Sequence, residues 1–231
     1  MLKGAEAALV IRDPVITGNS RCILDILNRL NIATLTQIGY WLGHADKSKV
    51  SRLCKKLENE AYIESSRLLK PFAFRLSSKG ANYLGASYKS AWPSFAATQQ
   101  IVLKNEVEMQ LRSHYPKSVH IRRQYLWKLG LSPALGEYAF KNEDQLFLVL
   151  LDDYLMDSKR ILHCLTRNHS PNQRYYDATV GGGNVTWQAY ADKVFVFCCD
   201  AEKLKQHQAF LDGENIVANC QYLPATWGIA V

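Results

Sequence analysis

Apolar residues recur every three to four positions through the first 90 residues, a spacing that predicts short amphipathic helices. Cap residues indicate where each helix begins and ends, because Ser, Thr, Asp and Asn accept free backbone N–H groups and glycine terminates a helix. The third helix is expected to bury Val50, Leu53, Cys54, Leu57 and Ala61 on one stripe. The predicted helices are Arg21–Leu30 with its N-cap at Asn19 or Ser20, Thr34–Gly43, and Lys47–Tyr62 with its N-cap at Asp46.

Two short strands are predicted after the third helix, at Tyr62–Arg67 and Pro71–Leu76, with Leu68–Lys70 between them. Ser77 is expected to cap a further helix that runs through Leu84. Helix, short helix, tight turn and helix, followed by a hairpin, is the order of a winged helix-turn-helix domain. The sequence therefore predicts such a domain over residues 1–90.

A connector with a helix-breaking proline, Ser87–Ser94, precedes a different pattern. The apolar runs Leu146–Leu151 and Val194–Cys199 are typical of buried central strands. Residues 91–231 are therefore predicted to form a second domain, of the α/β type with a mixed sheet. Its other predicted elements are helices from Ala97 to before Pro116, Asp157–Thr166 and Ala201–Leu211, and strands at 119–123, Gly136–Phe140 and Asn215–Tyr222.

The excess of positive over negative charge lies entirely in the first 100 residues. They hold 14 Lys and Arg against 7 Asp and Glu, whereas residues 101–231 hold 14 of each, so the whole formal charge of +7 belongs to the first part. A basic domain joined to a neutral one indicates a polyanionic partner, or else a basic surface that is merely solvated.

The basic residues of the first domain lie mainly on the polar face of its third helix and on the hairpin. Lys and Arg in such positions can bind guanine edges or phosphates in the DNA major groove, although some winged helices contact only proteins. The predicted DNA-contacting residues are Lys47, Lys49, Ser51, Arg52, Lys55 and Lys56 on the helix, and Arg67, Lys70 and Arg75 on the hairpin.

The sequence lacks the motifs of several classes of enzyme. The six histidines are scattered, which argues against zinc hydrolases, and neither G-x-S-x-G nor a phosphate-binding loop is present. The six cysteines show no Cys-x-x-Cys pair, so reduced thiols and a cytoplasmic location are expected. We also expect neither a signal peptide nor contact with a membrane, because no apolar stretch approaches about 20 residues.

Carboxylates at strand ends are the remaining candidates for chemistry. Glu137 lies on one predicted strand, and Asp152 and Asp153 end the next. Glu106 and Glu108 lie on the preceding helix. Oxygen ligands of this kind suit Mg²⁺ or Mn²⁺, which can activate a nucleophile and stabilise the charge of a phosphodiester during cleavage. Because side chains alternate along a strand, only one of the two adjacent aspartates is expected to face the site, with Asp152 favoured.

The N-terminal pattern resembles bacterial winged-helix proteins, down to the closing "RLSSKG" at the end of the second hairpin strand. Over about residues 20–200 the chain resembles the replication-relaxation family, and within it the MobC-type relaxases of mobilisable plasmids. That resemblance rests on the winged helix followed by "LKNEVEMQL", "GEYAF" and "LVLLDDYLMDSKRI".

The resemblance implies a relaxase: a DNA endonuclease that binds a plasmid transfer origin and nicks one strand during mobilisation and conjugation. Its second domain would be of the restriction-endonuclease-like type. Double-stranded DNA, a coupling protein and other relaxosome components would be its partners. Glu106 or Glu108, Glu137, and Asp152 or Asp153 would hold Mg²⁺ or Mn²⁺, with Lys159 as the nearby lysine.

The chain departs from the pattern of that family at two places. Pro133-Ala134 stands where Pro-Asp is usual, and Tyr154 and Leu155 stand where a lysine is expected. The lysine could instead be Lys159 or Lys128, or the site could be inactive. A covalent mechanism would need a tyrosine nucleophile, for which Tyr138, Tyr154, Tyr175 and Tyr176 are all candidates. The alternatives are a non-catalytic relaxosome accessory protein or transcriptional regulator with a degenerate nuclease fold, and a ligand-sensing transcription factor.

Overall fold

A computed structural model shows a mixed α+β fold. It describes residues 16–43, 46–66, 69–70, 72–88, 90–134, 136–153, 156–169, 186–223 and 228–229. No helix within these ranges is both long and apolar enough to cross a membrane.

The first part of the chain packs four helices on a three-stranded antiparallel sheet. The order of the strands across the sheet is β1–β4–β2, and β3 pairs instead with β10 near the end of the chain. The elements are α1 (Gly18–Leu30), β1 (Ile32–Thr34), α2 (Leu35–Leu42), α3 (Lys47–Asn59), β2 (Ile63–Ser66), β3 (Leu69–Lys70), β4 (Ala73–Leu76), α4 (Ser78–Leu84) and β10 (Gly228–Ile229).

Side-chain caps define most of these helix ends. Thr34 and Gln37 form a capping box at the start of α2, and Gly43 ends this helix in the left-handed conformation. Asp46 caps α3 and Ser77 caps α4, as predicted. The prediction was wrong for α1, whose N-cap residue is Thr17 rather than Asn19 or Ser20.

The core of this part consists of the apolar stripes of α1, α2 and α3. Ile23 and Leu27 of α1 pack with Val50 and Leu57 of α3. Ala61 was predicted to extend the buried stripe of α3 but is exposed, because the helix ends at Asn59 and Ala61 turns the chain at a φ of 59°. The strand β1 was not predicted, since its three residues form a strand only through pairing with β4.

The second part contains a five-stranded mixed sheet, as predicted. The strands β5, β6 and β7 are antiparallel, whereas β8 runs parallel to β7 and β9 parallel to β8, in the order β5–β6–β7–β8–β9. The elements are α5 (Phe95–His114), β5 (Val119–His120), α6 (Arg123–Lys128), β6 (Glu137–Asn142), β7 (Gln145–Asp152), α7 (Ser158–Thr166), α8 (Trp187–Tyr190), β8 (Lys193–Cys198), α9 (Ala201–Gly213) and β9 (Asn219–Tyr222).

Side chains alternate between the two faces of this sheet. Leu148 and Leu150 of β7 pack with Ile161 of α7 and Leu211 of α9. On the opposite face, the aromatic and branched side chains of β6–β8 pack against α5. The parity of a strand residue therefore decides which helical layer its side chain meets.

The helix α5 contacts both parts of the molecule. Its Asn105 donates to the Ile32 carbonyl of β1, and Gln37 of α2 donates to the Val102 carbonyl of α5. Arg29 of α1 forms an ion pair with the buried carboxylate of Glu108. The two parts therefore share this helix as a common layer.

Candidate functional site

The exposed face of α3 displays the residues predicted to contact DNA. Val50, Cys54 and Leu57 hold the opposite face against the core. Lys56 Nζ lies 3.9 Å from Glu60 Oε1. The other basic side chains of α3 form no ion pair with any described residue. The exposed residues on this face are Lys47, Lys49, Ser51, Arg52, Lys55 and Lys56.

Arg75, one of the three hairpin residues predicted to contact DNA, is buried. Arg75 was predicted to bind phosphate, but its side chain is only 8% exposed and bonds Glu64 at 2.5 Å. It also donates to the Ala91 and Ser90 carbonyls at 2.8 and 2.9 Å. Because these partners and Trp92 enclose the guanidinium, Arg75 holds the connector in place and is removed from the predicted DNA surface. Lys70 lies in β3, and Arg67 is outside the described residues.

A buried polar cluster lies at the carboxyl ends of the parallel strands β7 and β8. Asp152 accepts a hydrogen bond from the Met156 amide at 2.8 Å and lies 3.0 Å from Lys203 Nζ. His207 Nε2 is 2.9 Å from Asp152 Oδ2, and the Cys198 thiol donates to the same oxygen at 3.4 Å. All three of these side chains are buried: Asp152, Cys198 and His207.

Sheet register and helix periodicity bring this cluster together. Asp152 and Cys198 are paired residues of β7 and β8, so their side chains lie on the same face. Lys203 and His207 are four residues apart on α9 and therefore share one side of that helix. Ser158 at the start of α7 lies 2.8 Å from His207 Nδ1 and fixes the other edge of the imidazole.

The acidic groups of the cluster differ in their protonation state. Burial raises the pKa of the Asp152 carboxyl, but hydrogen bonds from His207, Met156 and Lys203 outweigh burial and lower it to about 2. Burial also raises the pKa of the Cys198 thiol, to about 11. At neutral pH the cluster therefore holds a carboxylate beside a lysine and a protonated thiol.

Glu137 lies on the same side of the sheet but has partners of its own. Arg167 Nη2 contacts both carboxylate oxygens at 2.9 and 2.8 Å. Trp187 Nε1 and the Ala134 amide donate to Oε2 at 3.2 and 3.1 Å. The buried charge of Glu137 is thus compensated inside the protein.

The other predicted carboxylates face away from this cluster. Asp153 bonds Gln100 of α5 on the opposite face of the sheet, so Asp152 and Asp153 do point to different layers, as alternation predicts. Glu108 pairs with Arg29, and Glu106 accepts from Gln37 at 2.8 Å. The expected ion site of Glu106 or Glu108, Glu137, and Asp152 or Asp153 is therefore wrong in its helix ligand, because α5 directs both glutamates at the first part of the chain.

The donors that do meet fit Mg²⁺ or Mn²⁺ poorly. Within the described ranges, the group of three or more His, Cys, Asp or Glu residues close enough for one ion is Asp152, Cys198 and His207, whose ligand atoms lie within 4.8 Å of one another. Mg²⁺ prefers an all-oxygen shell, whereas sulfur and imidazole suit transition metals. The cluster is therefore unsuited to DNA cleavage through a bound magnesium ion.

The structure also bears on the predicted catalytic lysine and on the candidate tyrosine nucleophiles. Lys159 is exposed on α7, and the lysine beside Asp152 is Lys203, which sequence reasoning missed because 51 residues separate them. Tyr138 donates to Gln100 at 3.0 Å, and burial raises its pKa to about 12, which disfavours it as a nucleophile. Tyr154, Tyr175 and Tyr176 lie outside the described residues.

Comparison of the chain with family models, curated proteins and solved structures finds no match.

Proposed function

We propose that this protein binds double-stranded DNA and that α3 is the helix that enters the major groove. The main observation in support is the exposed basic face of α3. Its side chains Lys47, Lys49, Arg52 and Lys55 form no ion pair with a described residue. Such side chains can exchange their counterions for DNA phosphates or bind base edges.

The order of elements supports the proposal. A helix, a strand, two helices and three further strands follow one another, and β1 pairs with β4, which pairs with β2. This is the arrangement expected for a winged helix, with α2 and α3 as the helix-turn-helix pair. In that arrangement α3 is the recognition helix.

For the second part of the chain we propose a non-catalytic role in DNA binding, as in an accessory protein or a transcriptional regulator. Glu137 is neutralised by Arg167, and the donors that meet at Asp152 are a thiol and an imidazole rather than the oxygens that Mg²⁺ prefers.

The second candidate function is the nicking of one DNA strand by a relaxase-type activity. Its support is the order α5–β5–α6–β6–β7–α7–α8–β8, in which Glu137 begins one strand and Asp152 ends its hairpin neighbour on the same face. Lys203 would supply the lysine of that arrangement.

DNA binding is tested by fluorescence anisotropy with a labelled duplex that the wild-type protein has selected from a random-sequence pool. We expect the Lys49→Ala/Arg52→Ala double variant to bind at least about tenfold more weakly than the wild type, since a base-reading Arg alone contributes about 1–3 kcal/mol. The matched control is Lys205→Ala/Arg160→Ala, which removes the same charges from exposed positions in the second part. Equal affinity of the two double variants contradicts the proposal.

Nicking is tested separately on supercoiled plasmid carrying the duplex selected in that binding experiment, with Mg²⁺ or Mn²⁺. The non-catalytic role predicts no nicked circles above the protein-free control. Nicking that disappears in Glu137→Gln or Asp152→Asn, with the variant still folded by circular dichroism, supports the relaxase candidate instead.

A further inference from the structure

We infer that Asp152, Cys198 and His207 form a binding site for a tetrahedral transition-metal ion, with Zn²⁺ as the preferred metal. The inference does not depend on DNA binding. It rests on three different donor types that meet in a buried position at the ends of β7, β8 and the inner side of α9.

The spacing of the donor atoms fits a small ion. Zinc holds oxygen and nitrogen ligands at about 2.0–2.2 Å and sulfur at about 2.3 Å, so two donors of a tetrahedral site lie about 3.5 Å apart. Asp152 Oδ2 lies 3.4 Å from Cys198 Sγ and 2.9 Å from His207 Nε2. A shift of about half an ångström between the carboxylate and the imidazole brings this pair to that spacing, and Cys198 Sγ lies within 4.8 Å of the His207 donor.

The surroundings of His207 already suit a ligand. When Nε2 binds the ion it no longer donates to Asp152, and the ring proton on Nδ1 is donated to Ser158 Oγ, 2.8 Å away. A histidine ligand typically gives its second N–H to a hydrogen-bond acceptor, which fixes the ring and raises its basicity. Ser158 is thus a positioning residue for the proposed site.

Lys203 is the internal competitor of the metal. Its ammonium group lies 3.0 Å from Asp152 Oδ2, where it compensates the buried carboxylate. The lysine side chain is 25% exposed, so it can turn towards solvent when a divalent ion takes over this charge. Metal binding also releases the thiol proton of Cys198, and the thiolate then becomes a ligand.

The test is a titration of the purified, metal-free full chain with Co²⁺, which reports thiolate ligation by a ligand-to-metal charge-transfer absorption. We expect one Co²⁺ per chain with this absorption, and its displacement by one equivalent of Zn²⁺. In Cys198→Ser the absorption is expected to disappear and the affinity to fall at least tenfold. Cys220→Ser, the same change at a half-buried cysteine of β9, should leave both unchanged.

Two further measurements keep the inference testable if Cys198→Ser does not fold. Lys203→Met leaves every ligand in place and removes the competing cation, so it should bind Co²⁺ several-fold more tightly than the wild type. Zn²⁺ should also raise the unfolding temperature of the wild type in a concentration-dependent way. No saturable 1:1 site in the wild type, or a thiolate absorption that survives in folded Cys198→Ser, overturns the inference.

Discussion

At the scale of single residues, the guanidinium of Arg75 is enclosed by Glu64, two connector carbonyls and Trp92. Arg75→Met keeps most of the side-chain volume but leaves these acceptors unpaired. We expect the free energy of unfolding in urea to fall by about 1.5–3 kcal/mol, the range for hydrogen bonds to charged groups. The exposed Arg160→Met should change it little. If Arg75→Met keeps its stability but loses DNA affinity, Arg75 belongs to the DNA-binding surface after all.

His120 makes stability depend on pH. Burial, followed by the charges of Lys104, Arg122 and Arg29, lowers its pKa from 6.5 to about 3. The unfolded chain therefore binds a proton below pH 6.5 that the folded chain takes up only near pH 3. The contribution to stability is complete above pH 6.5 and decreases as the pH falls towards 3.

The expected slope from this residue is at most about 1.4 kcal/mol per pH unit. Urea unfolding at pH 7, 6 and 5 measures it, with His120→Gln as the non-titrating variant. The wild type should lose more stability than the variant over this range. Parallel pH profiles of the two proteins would show that His120 does not titrate differently on folding.

At the scale of elements, α4 lies so close to β2 that Gly80 leaves no room for a side chain. A Cβ atom at Gly80 would lie 2.0 Å from the Tyr62 carbonyl oxygen, which belongs to the backbone. Gly80→Ala is therefore expected to cost about 3 kcal/mol or more, because backbone must move. Gly213→Ala, with nothing within 4 Å of its Cβ, should stay within about 0.5 kcal/mol of the wild type. Thermal unfolding of the two variants compares them.

Local signals explain which elements could be predicted from the sequence. Capping side chains at Thr34, Asp46 and Ser77 marked helix starts correctly, because a cap bonds residues two or three positions away. The strand β1 and the helix α6 were missed, since the first depends on pairing with β4 and the second is only six residues long.

The candidate metal site shows the limit of sequence spacing. Asp152, Cys198 and His207 come from three elements, and no short motif joins them. Scattered histidines argued against zinc in the sequence, but the parallel pairing of β7 with β8 places Cys198 beside Asp152. Only the sheet register and the packing of α9 reveal that these donors meet.

At the scale of the whole molecule, α5 joins the two parts that the sequence separates near residue 90. Asn105, Glu106 and Glu108 all bond the first part, which is why Glu106 and Glu108 are unavailable to the five-stranded sheet. The exposed face of α3 takes no part in these contacts and remains accessible.

The most direct test of DNA binding through α3 is lysine footprinting of the wild-type protein. Exposed lysines are acetylated with and without excess duplex DNA, and mass spectrometry gives the rate at each position. We expect DNA to protect Lys47, Lys49, Lys55 and Lys56, while Lys117 and Lys205 in the second part react at unchanged rates. Unchanged acetylation of the α3 lysines in a sample saturated with DNA would contradict the account.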